Sequence, residues 1–106
     1  MKEITVQELK EKIDNDESFF LLDVREPFEF EISNLNGTLI PLKELPGRVN
    51  ELEEYREEEV IVMCRSGARS ANATNFLLSE GFKNVKNLKG GVNQYAREID
   101  DSLQIY

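Results

Sequence analysis

An α/β fold with a mainly parallel sheet is predicted by three observations. Short uncharged apolar runs, Phe19–Leu22 and Val60–Met63, alternate along the chain with segments of helical period. Both runs are continuous instead of alternating with polar residues, the pattern of strands covered on both faces. The second run leads straight into Cys64, a turn of small residues and a helical segment. In open α/β sheets the carboxyl end of a strand is where ligands bind and chemistry occurs.

The elements follow in order. Thr5 and Glu8 form a capping box, and Val6, Leu9 and Ile13 recur at helical spacing, so a first helix is expected over residues 6–14. Asp14 to Ser18 is a polar break before the strand at Phe19–Leu22. Pro27, among acidic residues, suits the first turn of a short helix reaching Ile32. Asn34 to Thr38 is turn-rich, and Leu39–Ile40 reads as a short strand ending at Pro41. Pro46 begins the next helix, with Val49 and Leu52 on its buried side. Val60–Met63 is β-branched and uncharged. After the Cys64 turn, Ala73, Phe76 and Leu77 pack at helical intervals and Gly81 stops the helix. Val85 marks another strand, and Gly90–Gly91 leads into a last helix with Val92, Tyr95 and Ile99.

Composition narrows the chemistry. A chain of 106 residues, 40% hydrophobic and 32% charged, suits one soluble domain over residues 1–106. No apolar run nears the roughly 18 residues that span a bilayer, and Met1–Ile4 carries no signal segment, which points to the cytosol. A net charge of −8 argues against nucleic acid. Much of that charge lies in Glu51, Glu53, Glu54, Glu57, Glu58 and Glu59, expected to be a solvated helix end. With no histidine, Ser-His and Cys-His nucleophile pairs and His-based metal sites are excluded. A single cysteine excludes an intramolecular disulfide, a CxxC pair and a Cys-rich zinc site. A nucleophilic cysteine in this chain must be activated by backbone dipoles and arginines.

Cys64-Arg65-Ser66-Gly67-Ala68-Arg69-Ser70 meets that requirement. A cysteine is otherwise more often a small buried hydrophobe than a nucleophile. This one stands at a strand end before a helix N-terminus, whose unpaired N–H groups favour a thiolate. Arg65 and Arg69 add positive charge, and Ser66, Gly67 and Ala68 are small enough for the backbone to curl around an anion. Ser70 is placed to cap the following helix. Asp23 and Arg25, closing their strand, are read as an ion pair or cap that supports the neighbouring loop.

The heptapeptide 64–70 resembles the rhodanese active-site loop CRSGxRS. Leu21-Leu22-Asp23-Val24-Arg25-Glu26-Pro27 resembles the family's first signature, and Leu88-Lys89-Gly90-Gly91 its late L-x-G-G turn. Glu31–Leu35, Leu39–Leu42 and the ending from Ala96 to Tyr106 are similar to the rhodanese domain at the C-terminus of molybdopterin-synthase-activating adenylyltransferases. The resemblance spans nearly the whole chain. It departs at Asn34–Thr38, where many rhodaneses read G-H-I-P-G-A, and at Tyr95, where tryptophan is usual.

That resemblance implies a parallel sheet of about five strands with helices on both faces, and sulfurtransferase activity. Cys64 would carry sulfur as a covalent persulfide with no other cofactor, and residues 65–70 would hold the substrate. The donor would be an anion such as thiosulfate, and the acceptor cyanide in an assay, or a thiol or sulfur-carrier protein in the cell. Cysteine-dependent phosphatases carry C-x5-R, whereas Cys64 to Arg69 is C-x4-R, a smaller ring of N–H donors. Two rival readings are a rhodanese-fold binding module with an idle cysteine, and phosphate or arsenate chemistry on the same loop.

Overall fold

The computed structural model describes residues 1–105. Five parallel strands form one sheet: β1 (Lys2–Ile4), β2 (Phe20–Asp23), β3 (Thr38–Leu39), β4 (Glu59–Met63) and β5 (Asn84–Leu88), in the spatial order β1-β5-β4-β2-β3. Helices α1 (Val6–Asp14), α2 (Pro27–Ile32), α3 (Leu45–Arg48), α4 (Ala68–Ser79) and α5 (Gly91–Glu98) connect or flank them. The central strand β4 pairs with β2 from Phe20↔Val60 to Asp23↔Met63 and with β5 from Glu59↔Asn84 to Val62↔Asn87.

Successive β4 side chains enter opposite cores, which is why its sequence is apolar without interruption. Val60 and Val62 pack with Leu22, Leu45, Leu52, Ala73 and Leu77 on one face. Ile61 and Met63 pack with Ile4, Val6, Leu9, Leu88, Val92 and Tyr95 on the other. Phe20 stacks on Tyr55 with ring centroids 3.9 Å apart, closing the first core near the start of β2. Thr5 caps α1 as expected: its Oγ1 accepts the Glu8 N–H while Glu8 accepts the Thr5 N–H.

Several local expectations change. Lys2–Ile4 is an edge strand on β5, held by backbone pairing with only Ile4 buried, so no apolar pattern marks it. Ile13 lies 43% exposed, beyond the packed face formed by Val6 and Leu9. The segment expected to be one helix from Pro46 is a 3-10 turn at Leu42–Glu44, the short α3, and a 3-10 stretch at Val49–Tyr55. Leu52 is still buried there, and Val49 packs half-buried. Glu51, Glu53, Glu54, Glu57 and Glu58 are exposed, but Glu59 bridges Lys12 at 2.8 Å and Lys86 at 2.5 Å. No helix among the described residues is long and apolar enough to cross a membrane. Tyr106, the end of the segment likened to the adenylyltransferases, lies outside the described residues.

Candidate active site

Cys64 follows β4 directly, and its side chain is 1% exposed. The chain then turns through Arg65, Ser66 and Gly67 into α4. Arg65, Ser66 and Ala68 stand exposed at the rim. Gly67 caps α4 with φ +109°, a backbone that an L side chain rarely adopts. The cap is therefore Gly67, and Ser70 lies inside the first turn of α4, where its side chain faces the cysteine. The reversal at Gly67 aims backbone N–H groups inward: Gly67 N–H donates to Cys64 Sγ at 3.1 Å and Ser70 N–H at 3.4 Å. The Ser70 hydroxyl also approaches Sγ at 3.4 Å.

Opposing effects act on the thiol. Burial is the largest and pushes its pKa up, but hydrogen bonds from the Ser70 hydroxyl and from the Ser70, Gly67 and Ser66 N–H groups outweigh it. The net direction is below the ordinary thiol value, so Cys64 ionises more easily than a free cysteine.

The outer side of the loop is pinned by α5. Val92 N–H donates to Cys64 O at 3.0 Å and Asn93 N–H to Arg65 O at 3.1 Å. With those carbonyls held outward, the peptide N–H groups of the turn face the sulfur. Gly91 allows the approach, since a Cβ at that position would lie 2.4 Å from Arg65 O and 2.5 Å from Cys64 O. The late glycine pair thus shapes the loop from outside it.

Arg69 leaves the loop for α2. Its guanidinium donates to Glu29 Oε1 at 2.6 Å and Oε2 at 2.8 Å, and the Glu29 side chain is 5% exposed. Asp23 and Arg25 form a fully buried pair, with Arg25 Nε 3.0 Å and Nη2 2.8 Å from the carboxylate. Nη2 also donates to Ser33 O at 2.8 Å, so the pair holds the end of α2. The chain of contacts from Arg25 through α2 to Arg69 therefore braces the Cys64 loop.

Two residues of this arrangement, Glu29 and Asn87, carry no site signature in the sequence. Glu29 sits in the first turn of α2 and reads there as an ordinary acidic residue. Asn87, on β5 and 3% exposed, accepts the Ser70 hydroxyl at 2.5 Å and donates Nδ2 to Gly67 O at 3.2 Å. β5 reads Asn84-Val85-Lys86-Asn87-Leu88, three polar residues in five, so nothing in the sequence singles Asn87 out as buried. A separate groove of about 510 Å³, lined by Phe19, Leu21, Leu35, Gly37 and Tyr95, contains none of the loop residues.

A thiol lowered in pKa by N–H donors at a strand end is the arrangement that cysteine thiolate chemistry requires. Residues 5–98 match the model of the Rhodanese-like domain, and the chain belongs to that family. It is 34% identical over 98 residues to a sulfurtransferase of Allochromatium vinosum, covering 92% of this chain and 90% of that one. A candidate sulfur carrier protein of Bacillus subtilis, YrkF, is 40% identical over 99 residues, covering 92% of this chain. The adenylyltransferase and sulfurtransferase MOCS3-2 of Zea mays is 32% identical over 109 residues, covering 97% of this chain. This chain spans 52% of YrkF and 23% of MOCS3-2. Among solved structures, a rhodanese-like domain protein from Staphylococcus aureus superposes with TM-score 0.84 at 30% identity, covering 100% of this chain and 99% of that one. The observed sheet is the parallel, five-stranded one that the family resemblance implied.

Proposed function

We propose that this protein is a sulfurtransferase that moves sulfane sulfur through a persulfide on Cys64. The observation that carries the reading is the set of donors around Sγ: Gly67 N–H, Ser70 N–H and the Ser70 hydroxyl. They favour the thiolate first and a persulfide anion next. The sulfurtransferase name of the Allochromatium relative, which this chain covers almost end to end, supports the same class.

The Cys64 thiolate attacks the outer sulfur of a donor such as thiosulfate. A sulfur–sulfur bond forms to Sγ, the donor's own sulfur–sulfur bond breaks, and sulfite leaves with the electron pair. Negative charge then rests on the outer persulfide sulfur, which the N–H groups of the Cys64 loop would hold. A nucleophilic acceptor takes that outer sulfur and returns the thiolate: cyanide leaves as thiocyanate, and a thiol or sulfur-carrier protein leaves as its persulfide. This is covalent catalysis in two half-reactions, so ping-pong kinetics follow. Arg65 at the rim steers the anionic donor, and Arg69 contributes by tying the loop to Glu29.

Intact mass after incubation with thiosulfate, then cyanide, tests the reading against Cys64→Ala. One added sulfur, absent in the variant and released as thiocyanate, is expected. Absence of the adduct with both thiosulfate and a low-molecular-weight persulfide would reject sulfur transfer and leave a binding role.

A further inference from the structure

Ser70 has one hydroxyl proton and three acceptors around it: Asn87 Oδ1 at 2.5 Å, Gly67 O at 3.2 Å and Cys64 Sγ at 3.4 Å. It cannot serve all three. While the sulfur is an uncharged thiol, distance places the proton on Asn87, whose amide is oriented by its own Nδ2 donating to Gly67 O at 3.2 Å; only the thiolate competes for it. If Ser70 turned to the sulfur, it would leave the Asn87 oxygen buried on a strand that is 3% exposed there, and an orphaned buried acceptor is costly.

We propose that Asn87 is a positioning residue that restrains the Ser70 hydroxyl from the Cys64 sulfur and so keeps the thiolate from being over-stabilised. The consequence for catalysis rests on the sulfur-transfer reading. A thiolate stabilised by every available donor is more abundant but a weaker nucleophile. Asn87 holds one donor in reserve. When charge resides on Sγ, the hydroxyl is drawn toward it against the pull of Asn87. When a persulfide forms, the charge passes to the outer sulfur and the hydroxyl returns to Asn87. No proton changes owner in either step.

The test is the pH dependence of Cys64 alkylation by iodoacetamide in the full chain, which reads the thiol directly and needs no sulfur donor. In Asn87→Ala the freed hydroxyl chooses between a neutral carbonyl and a thiolate, and the charged acceptor wins. The ionisation midpoint is expected to fall by about one pH unit, the size of one hydrogen bond to a charged group. The limiting rate constant above the midpoint is expected to fall about threefold, following the dependence of thiolate nucleophilicity on pKa. In a Ser70→Ala background the same Asn87 substitution is expected to leave the midpoint unmoved. Asn87→Val, which keeps a strand-forming side chain, is measured alongside so that loss of fold in one variant does not leave the sign undecided. A midpoint that rises or stays put, or that falls equally without Ser70, would overturn the proposal, because a merely structural role for Asn87 would loosen the N–H ring and raise it. Failure of the sulfur-transfer reading shows separately, as absence of the persulfide mass adduct.

Discussion

Replacing Gly91 by alanine should damage the Cys64 loop without touching it in sequence. The new Cβ would lie 2.4 Å from Arg65 O and 2.5 Å from Cys64 O, about 1 Å inside ordinary contact, and both obstacles are backbone. The residue also holds φ +63°, where a side chain costs about 1–2 kcal/mol. Relief requires α5 and the loop to separate, which lengthens the bonds from Val92 N–H to Cys64 O and from Asn93 N–H to Arg65 O. Each such bond contributes about 0.5–1.5 kcal/mol, so the total loss is about 2–5 kcal/mol. Urea unfolding followed by circular dichroism measures it. Because the carbonyls of Cys64 and Arg65 set where the loop's N–H groups point, the thiol should lose donors and its alkylation midpoint should rise. Turnover should drop by about 10²-fold, the usual penalty for misplacing a reactive group by about 1 Å. Native stability together with an unshifted midpoint in Gly91→Ala would refute the view that α5 shapes the loop.

Removing one partner of the buried Asp23–Arg25 pair, as in Arg25→Ala, should cost about 3–5 kcal/mol by chemical denaturation, since the remaining carboxylate is stranded without solvent. A loss below about 1 kcal/mol would mean that α2 is held by other contacts. The Glu29–Arg69 pair is about a third open to water on the arginine side, so Glu29→Ala should cost only about 1–2 kcal/mol. A double-mutant cycle with Arg69→Ala should then show coupling, and strict additivity would count against the clamp. The Cys64 thiol, lowered on folding, gives a signed pH effect. A depressed acid stabilises the fold fully above its unfolded pKa, about 8.5, and that contribution disappears as pH falls through the folded value. The thermal stability of the protein relative to Cys64→Ala should therefore increase as pH rises toward about 8.5, and a difference that shrinks over that range would contradict the direction.

The parallel α/β architecture was legible because its causes are local. Phe20–Asp23 and Glu59–Met63 need apolar side chains on both faces, and the Thr5–Glu8 box needs only neighbours in the chain. The strand, Cys64 turn and helix were likewise written in consecutive residues, down to a glycine where the backbone had to reverse. What tertiary structure decided lies in contacts between residues remote in sequence. Glu29 meets Arg69 across 40 positions and Asn87 meets Ser70 across 17. The α5 N–H groups reach Cys64 and Arg65 only after β5 has been laid beside β4. These pairings turned Arg69, expected beside the bound anion, to Glu29 on α2, and the turn at Gly67 moved Ser70 from the helix cap to the side of the sulfur. A hydrogen bond or ion pair is specified by distance and angle, and those exist only once the sheet has brought the partners together.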